Sequence, residues 1–217
     1  MTKVIKTNEL YETKDLLSVL KQCEMTRKYR LMTGLLADTG MGKSTSLKIY
    51  EASENNVFMV TAESSMNAKT LFLSILERLN VSFDGNVHRI LLKIAEVLNA
   101  AENSLLIIDE AGKLNHVMML YLHVLRERTM KNCGILLAGM PYFKTNLERF
   151  SQKQKSGCSE FLRRINIWNE LGGLSRKEIE YICRKEGMED DFRDCYGLRF
   201  GDLMNKILLN KIETEKL

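Results

Sequence analysis

The chain carries, from residue 35 to residue 45, the stretch Leu35-Leu36-Ala37-Asp38-Thr39-Gly40-Met41-Gly42-Lys43-Ser44-Thr45. An apolar run that begins near Leu31 gives way to small residues and glycines, and Lys-Ser-Thr then opens a helical pattern. This order of strand, loop and helix is typical of the phosphate-binding loop, whose pattern is G-x-x-x-x-G-K-[ST]. Ala37 replaces the first glycine of that pattern, a mild departure because alanine is nearly as small. The stretch therefore predicts a nucleotide site.

The residue types of the loop suit a triphosphate. Glycines let backbone N–H groups approach closely packed phosphate oxygens, and the following helix adds the partial positive charge of its N-terminus. Lys43 is long enough to reach the β and γ phosphates, and the Ser44 hydroxyl suits Mg²⁺, which prefers oxygen ligands. The predicted nucleotide-binding residues are Asp38, Thr39, Gly40, Met41, Gly42, Lys43, Ser44 and Thr45.

A second motif supplies acids. The run Ser104-Leu105-Leu106-Ile107-Ile108 ends in Asp109-Glu110, as expected for a buried parallel strand whose tip enters a site. Nucleotide hydrolysis requires a metal to neutralise the phosphates and a group to orient or deprotonate the attacking water. We therefore expect Asp109 to hold Mg²⁺ together with Ser44, and Glu110 to act on the water.

Apolar runs alternate with helical patterns along the first three quarters of the chain. Strands are predicted at Leu31–Leu36, Val57–Val60, Ser104–Asp109, Cys133–Gly139 and Ile165–Trp168, and helices include Leu10–Tyr29 and Lys43–Ser53. This alternation predicts a doubly wound parallel α/β sheet. From Leu174 onward only helical patterns remain. We expect a P-loop domain with an N-terminal helix at residues 1–172 and a small helical subdomain at 173–217.

Composition excludes several other classes. Five cysteines with no C-x-x-C pair do not form a disulfide framework or a zinc site and predict reduced thiols. The start Met1-Thr2-Lys3 is polar, and no run of about 18 apolar residues occurs, so neither a signal region nor a membrane span is predicted. The net charge of +4 is small, but a basic segment between Pro141 and Asn166 offers a face for phosphates.

Taken together, the motifs ADTGMGKST, LLIIDEAGKL, GILLAGMPYF and FLRRINIWNELGGLSRKEI resemble those of the AAA+ ATPases. Within that class the chain is similar to the transposition-regulator branch, namely phage-Mu-type transposition protein B and its TnsC and TniB relatives. The resemblance implies a three-layer αβα sandwich with a five-stranded parallel sheet and a C-terminal helical lid. It also implies ATP and Mg²⁺ as cofactors, slow ATP hydrolysis stimulated by assembly, and a cytoplasmic protein encoded by a bacterium or phage.

Further roles follow from this resemblance alone. Arg163 or Arg164, with Arg164 preferred, matches the region from which such ATPases present an arginine finger to the neighbouring subunit's γ-phosphate. A finger of that kind implies a homo-oligomer, either a filament or a ring. The other implied partners are double-stranded DNA and a transposase. The region Ser64–Arg89 provides Lys69 and Arg89 as candidate DNA contacts, and a second group comprises Lys144, Arg149, Lys153 and Lys155.

Two positions depart from the AAA+ pattern. Ala138-Gly139-Met140 offers no polar sensor residue after the fourth strand, and Gly201-Asp202-Leu203-Met204 has methionine where a sensor arginine is common. Arg199 is nearby but out of phase. These departures favour a slow switch over a fast motor. Three alternatives remain open at this point: a helicase loader, a small-molecule kinase and a module that retains ATP without turnover.

Overall fold

A computed structural model describes residues 11–188 and 192–214, and this part contains a five-stranded parallel sheet. The strands are β1 (Met32–Leu36), β2 (Val57–Thr61), β3 (Ser104–Asp109), β4 (Cys133–Gly139) and β5 (Ile167–Glu170). The helices are α1 (Lys14–Lys28), α2 (Lys43–Ser53), α3 (Ala68–Arg78), α4 (Val87–Ala100), α5 (His116–Thr129), α6 (Pro141–Gln152), α7 (Cys158–Arg164), α8 (Arg176–Lys185) and α9 (Phe200–Thr214), with short 3-10 helices at Ala111–Lys113 and Phe192–Cys195. The predicted fold class is confirmed.

The strand order is β2-β3-β4-β1-β5, and every pair is parallel. The carboxyl ends of all strands therefore meet at one edge of the sheet. The phosphate loop follows β1, and the two acids lie at the carboxyl end of β3, with β4 between these strands. This topology, rather than closeness in sequence, brings the two motifs together.

Side chains of β3 alternate between two apolar layers, as the period of a strand requires. Leu105 and Ile107 pack in a cluster with residues of α1 and α2, whereas Leu106 and Ile108 pack in a cluster with residues of α3, α4 and α5. All four side chains are completely buried. The sheet is thus covered on both faces, which gives the three layers expected of this fold.

The helices that follow β5 form a third cluster, which we call the lid core. It contains residues of α8 and α9 and also Tyr11, which precedes α1. Asp15 in the first turn of α1 accepts hydrogen bonds from the backbone N–H groups of Gly172 (3.1 Å) and Gly173 (2.8 Å). Residues at and before the start of α1 therefore contact both the segment between β5 and α8 and the lid core. The division at 172/173 stays a prediction.

The ends of the first helix and of the fifth strand differ most from expectation. The predicted first helix includes Leu10, which lies outside the described residues, and α1 begins only after Thr13, whose hydroxyl accepts a hydrogen bond from Leu16 N–H. The predicted fifth strand began at Ile165, but β5 begins at Ile167. The reason is that Asn166 exchanges two hydrogen bonds with Met32, through its N–H and its side-chain oxygen, before the regular ladder starts.

Within the described ranges, no helix combines the length and the apolar character that a membrane crossing would require.

Candidate functional site

The phosphate loop runs from the end of β1 to the start of α2. Gly40 and Gly42 each have a φ of 82°, a left-handed conformation that strains a residue with a side chain. Gly42 is also the N-cap of α2, where no described side chain accepts a hydrogen bond from the first turn. The N–H groups of that turn are therefore available to an anion, which the helix dipole also favours.

Asp109, the last residue of β3, is held by three donors. Its Oδ1 accepts hydrogen bonds from Lys43 Nζ at 2.5 Å and from the N–H of Glu110 at 2.8 Å. Its Oδ2 accepts a hydrogen bond from the Ser44 hydroxyl at 2.5 Å. The Lys43 and Asp109 side chains are only 7% and 3% exposed, so each charge depends on the other for compensation. The predicted lysine, serine and aspartate thus meet at one point.

Glu110 lies in a different environment from its neighbour. Its φ of 55° and ψ of 36° are left-handed, which costs a non-glycine residue about 1–2 kcal/mol. Its carboxylate is 3.6 Å from Lys43 Nζ and 3.7 Å from Lys113 Nζ, and its side chain is 31% exposed. The backbone at Glu110 is therefore strained, and its partly exposed carboxylate lines the cavity of the phosphate loop beside Lys43.

The geometry fits a magnesium ion. Ser44 Oγ and Asp109 Oδ2 are a hydroxyl and a carboxylate oxygen 2.5 Å apart, and Mg²⁺ binds such oxygens while keeping several waters or phosphate oxygens. In the ranges 11–188 and 192–214, no group of three or more His, Cys, Asp or Glu side chains forms a metal site by itself. A pair of protein oxygens suits a metal that arrives with a nucleotide.

Two adjoining cavities surround the loop. The first, of about 240 Å³, is lined by residues 37–45 together with Glu110 and Met140. The second, of about 210 Å³, shares Met41, Gly42 and Thr45 with the first and has a largely apolar lining. That lining includes Tyr11, Leu16, Ile49, Phe200 and Met204. The second cavity has the position and chemistry to take a nucleobase whose phosphates occupy the first, and sequence reasoning did not identify it.

The start of α9 touches the phosphate loop directly. Arg199 Nη1 donates to the Thr39 carbonyl at 3.2 Å, and Arg199 Nη2 lies 3.3 Å from Asp38 Oδ2. Gly201 N–H donates to the Gly40 carbonyl at 2.7 Å, and a Cβ on Gly201 would lie 3.3 Å from Gly40 Cα. The arginine that is out of phase in sequence is therefore at the loop. A search for G-x-x-R passes over it because it precedes the glycine.

Met140 and Met204 occupy the two positions where the AAA+ pattern often has polar sensors. Met140 lines the phosphate cavity, and its sulfur lies 3.7 Å from the Thr39 hydroxyl. Met204 lines the apolar cavity. Neither side chain can donate a hydrogen bond to a phosphate. Among the described side chains of the lid, Arg199 is the cation that contacts the loop.

Arg163 and Arg164 end α7, just before the N-terminal end of β5. They therefore lie at the edge of the sheet opposite to the phosphate loop. Arg164 Nε forms an ion pair with Glu127 Oε1 at 2.6 Å, whereas Arg163 is exposed and has no ion pair within the described part of the chain. Neither arginine joins the site of its own chain. The preference for Arg164 over Arg163 stays a prediction.

The candidate DNA contacts lie on two separate surfaces. Lys69 and Arg89 are exposed near the turn between α3 and α4, where Lys69 Nζ is 3.7 Å from Asp84 and the Arg89 guanidinium is 5.7 Å from the Phe83 ring. The second group lies on and after α6 and comprises Lys144, Arg149, Lys153 and Lys155. The structure does not bring the two groups into contact with each other.

The comparisons with known proteins agree with this architecture. The chain is similar to the ORC2 protein of Aeropyrum pernix, solved as ADPNP-ADP complexes, with 14% identity and a TM-score of 0.59 over 81% of this chain and 51% of that chain. It is also similar to the ORC1 protein of Aeropyrum pernix in complex with DNA, with 12% identity and a TM-score of 0.58 over 81% and 48%. A DNA replication initiation factor shows 15% identity and a TM-score of 0.57 over 95% of this chain and 63% of that chain.

The chain spans about half the length of the two ORC proteins, and at these identities the likeness concerns the fold. No curated protein matches the chain. The family model described as an AAA domain matches residues 26–147, which is more than half of the 217 residues and includes β1 to β4 with both nucleotide motifs. The chain therefore belongs to the AAA-domain family, the P-loop proteins known as AAA+ ATPases.

Proposed function

We propose that this protein is an ATPase that binds ATP and Mg²⁺, assembles on double-stranded DNA with little sequence preference, and there selects a target and activates a transposase. The observation that carries the ATPase part is the convergence of Lys43, Ser44, Asp109 and Glu110 on one cavity. The transposition part rests on the sequence resemblance. The resemblance also favours action in the cytoplasm of a bacterium, by a bacterial or phage-encoded protein.

Each residue of the site has a proposed role. The N–H groups at the start of α2 and the Lys43 ammonium group bind phosphate oxygens, and Ser44 and Asp109 hold the metal, which supplies charge neutralisation. Glu110 orients the attacking water and accepts its proton, because it is the partly exposed member of the acid pair. Arg199 leaves Asp38 for a phosphate when the lid closes over bound nucleotide.

The finger must come from another copy of the chain. β1 has 5 residues, and a strand rises about 3.3 Å per residue, so the two edges of the sheet are about 16 Å apart. Arg163 and Arg164 are at one edge and the phosphate loop is at the other. An arginine at this edge acts on a transferring phosphate only when a second subunit presents its own loop. We therefore propose that hydrolysis accompanies assembly into a filament or a ring.

DNA binding is proposed through Lys69 and Arg89, the first group of candidate contacts. Both residues of the first group are exposed, and the Phe83 ring holds the Arg89 guanidinium near the turn. Contacts between such cations and backbone phosphates are insensitive to sequence and weaken steeply with salt. The ORC1 relative in complex with DNA supports a DNA-associated role for this fold.

A helicase loader is the second candidate. It is favoured by the similarity to a DNA replication initiation factor, which covers 95% of this chain. A loader would use the same nucleotide site and would also assemble with ATP. The small-molecule kinase is less well supported, because an acid pair such as Asp109-Glu110 suits the activation of water.

Electron microscopy with a non-hydrolysable ATP analogue, with and without duplex DNA, separates these candidates. Helical filaments on DNA support the transposition role, closed rings support the loader, and monomers under both conditions contradict either assembly. In parallel, Glu110→Gln is expected to lower ATP turnover by about 10²-fold or more while binding is kept. Asp84→Asn, a change at an exposed acid remote from the cavity, serves as the matched control. Unchanged turnover in Glu110→Gln would disprove its role.

A further inference from the structure

A groove lies between α5 and α6, beside the 3-10 helix Ala111–Lys113 that follows Asp109 and Glu110. This α5–α6 groove has a volume of about 290 Å³. Its floor is apolar and consists of Leu114, Met119 and Phe143, which are at most 5% exposed. Its rim carries Asn146, Phe150 and Lys155, and Lys155 Nζ lies 4.6 Å from the centre of the Phe150 ring. A space of this size takes one or two side chains rather than a whole cofactor.

Two exposed apolar side chains lie next in sequence to residues that line the groove. Tyr142, at the start of α6, is 43% exposed, and Val117, at the start of α5, is 52% exposed. The Tyr142 ring lies against Gly112, where a Cβ would be 2.6 Å from a ring carbon. The apolar floor and these exposed apolar side chains together form a surface of the kind that marks a binding groove.

The residues that line the groove include one lysine, Lys155, and no acid, and Arg149 and Lys153 are close to Lys155 in sequence. Arg149, Lys153 and Lys155 are exposed and form no ion pair among residues 11–188 and 192–214. Of the nearby acids, Glu148 is paired with Lys144 at 3.8 Å. An occupant that carries carboxylates beside an apolar group would match both the floor and the rim.

We propose that the α5–α6 groove docks an acidic segment of a partner protein, with one large apolar side chain of that segment inserted between the two helices. An aliphatic and aromatic floor favours a peptide over nucleic acid, because a nucleic acid would engage the cations without needing Leu114 or Met119. The assignment gives Arg149, Lys153 and Lys155 a protein partner instead of the DNA predicted from sequence. It goes beyond the proposed function and does not require nucleotide.

The location gives docking a consequence for the nucleotide site. The groove wall includes Gly112, in the 3-10 helix Ala111–Lys113 that directly follows Glu110. Lys113 N–H donates to the Glu110 carbonyl at 2.9 Å. An occupant that presses on this turn therefore acts on the backbone that holds Glu110 in its strained conformation.

The test uses a fluorescein-labelled short peptide with a central phenylalanine flanked by glutamates, together with its charge-inverted counterpart flanked by lysines. Binding is measured by anisotropy on the full chain without nucleotide. We expect the acidic peptide to bind and the inverted peptide to bind at least about tenfold more weakly, as loss of several surface charge pairs implies. Amide shifts in nuclear magnetic resonance spectra should be centred on the α5–α6 groove.

Two pairs of variants locate the binding. Lys155→Glu should weaken the acidic peptide several-fold, whereas Lys177→Glu, a reversal at an exposed lysine of α8, should not. Asn146→Trp fills the groove without changing charge and should abolish binding, whereas Thr145→Trp on the adjacent exposed position should not. Equal binding of both peptides, or indifference to Asn146→Trp, would overturn the proposal. A third result would also overturn it: duplex DNA displaces the acidic peptide completely and binds Asn146→Trp as well as it binds the wild type. That result would assign the cations to nucleic acid.

Discussion

Replacing Asp109 by alanine is the most direct test of the charge arrangement at the site. The substitution removes the carboxylate that Lys43 Nζ contacts at 2.5 Å. Since the lysine side chain is only 7% exposed, its ammonium group would remain in a poorly solvated place. Removing one partner of a buried ion pair typically costs 3–5 kcal/mol. Glu110, 3.6 Å away, provides partial compensation, so we expect a loss of about 3 kcal/mol in the free energy of unfolding.

For a chain of this length, 1 kcal/mol corresponds to about 2–4 °C in the melting temperature. Asp109→Ala should therefore melt about 6–12 °C below the wild type in a calorimetric or fluorescence scan without nucleotide. The matched control is Asp84→Ala, because this carboxylate is 97% exposed and its pair with Lys69 is 3.7 Å long. Exposed pairs contribute at most about 1 kcal/mol, so the control should stay near the wild type.

An anion offers Lys43 a replacement partner. Adding ATP together with a chelator of divalent cations should raise the melting temperature of Asp109→Ala more than that of the wild type, because only the variant has an uncompensated lysine. If Asp109→Ala melts within about 2 °C of the wild type, the idea that Lys43 and Asp109 depend on each other for charge compensation is refuted. A variant that melts low but gains nothing extra from ATP would refute the placement of Lys43 on the phosphates.

Three other predictions concern the fold, the lid and the assembly. Gly134→Ala should lower the free energy of unfolding in urea by about 2–3 kcal/mol, because a Cβ there would lie 2.4 Å from a backbone oxygen of α1. Gly172→Ala is the control and should not lower it, because a Cβ there would have nothing within 4 Å. Burial opposes ionisation of Glu178, but hydrogen bonds from Ser175 and from the Lys14 N–H outweigh it and hold the pKa below its usual 4.5. The ionised group thus contributes stability above pH 4.5 that is lost as the pH falls through the lower folded pKa. Thermal scans of Glu178→Gln between neutral and acid pH should therefore show a flatter decline than the wild type. Arg163→Ala and Arg164→Ala should both keep ATP binding. The variant that removes the finger should abolish the rise of ATP turnover with protein concentration. An equal loss of ATP turnover in dilute monomer would contradict a finger in trans.

The nucleotide motifs were predictable from sequence because each depends on contiguous residues. A glycine loop between a strand and a helix, or two acids at the end of an apolar strand, indicates a nucleotide site regardless of how the rest of the chain folds. The order of the strands then brings Lys43 and Asp109 together across 66 sequence positions. Four of the five strands begin and end within one residue of expectation for the same reason, since buried parallel strands are nearly continuous apolar runs.

The unpredicted features all depend on contacts between distant segments. Arg199 meets Asp38 across 161 positions, and no local pattern records that approach. Asn166 delays the start of β5 through hydrogen bonds to Met32, which a strand propensity does not include. The apolar cavity beside the loop needs Tyr11 from before α1 and Phe200 from the lid at once. Periodicity predicts elements, whereas these sites arise from their packing.

The contact between β5 and β1 contains an intrinsic fluorophore. Trp168, which is the single tryptophan of the chain, lies against Gly34, where a Cβ would be 2.2 Å from its ring. Its ring centre is 5.8 Å from that of Phe143 and 5.7 Å from the Lys144 ammonium group. Its emission therefore reports on the junction between β5 and α6, close to the end of α7. A change of that emission on adding ATP or DNA would report a rearrangement at this junction without any label.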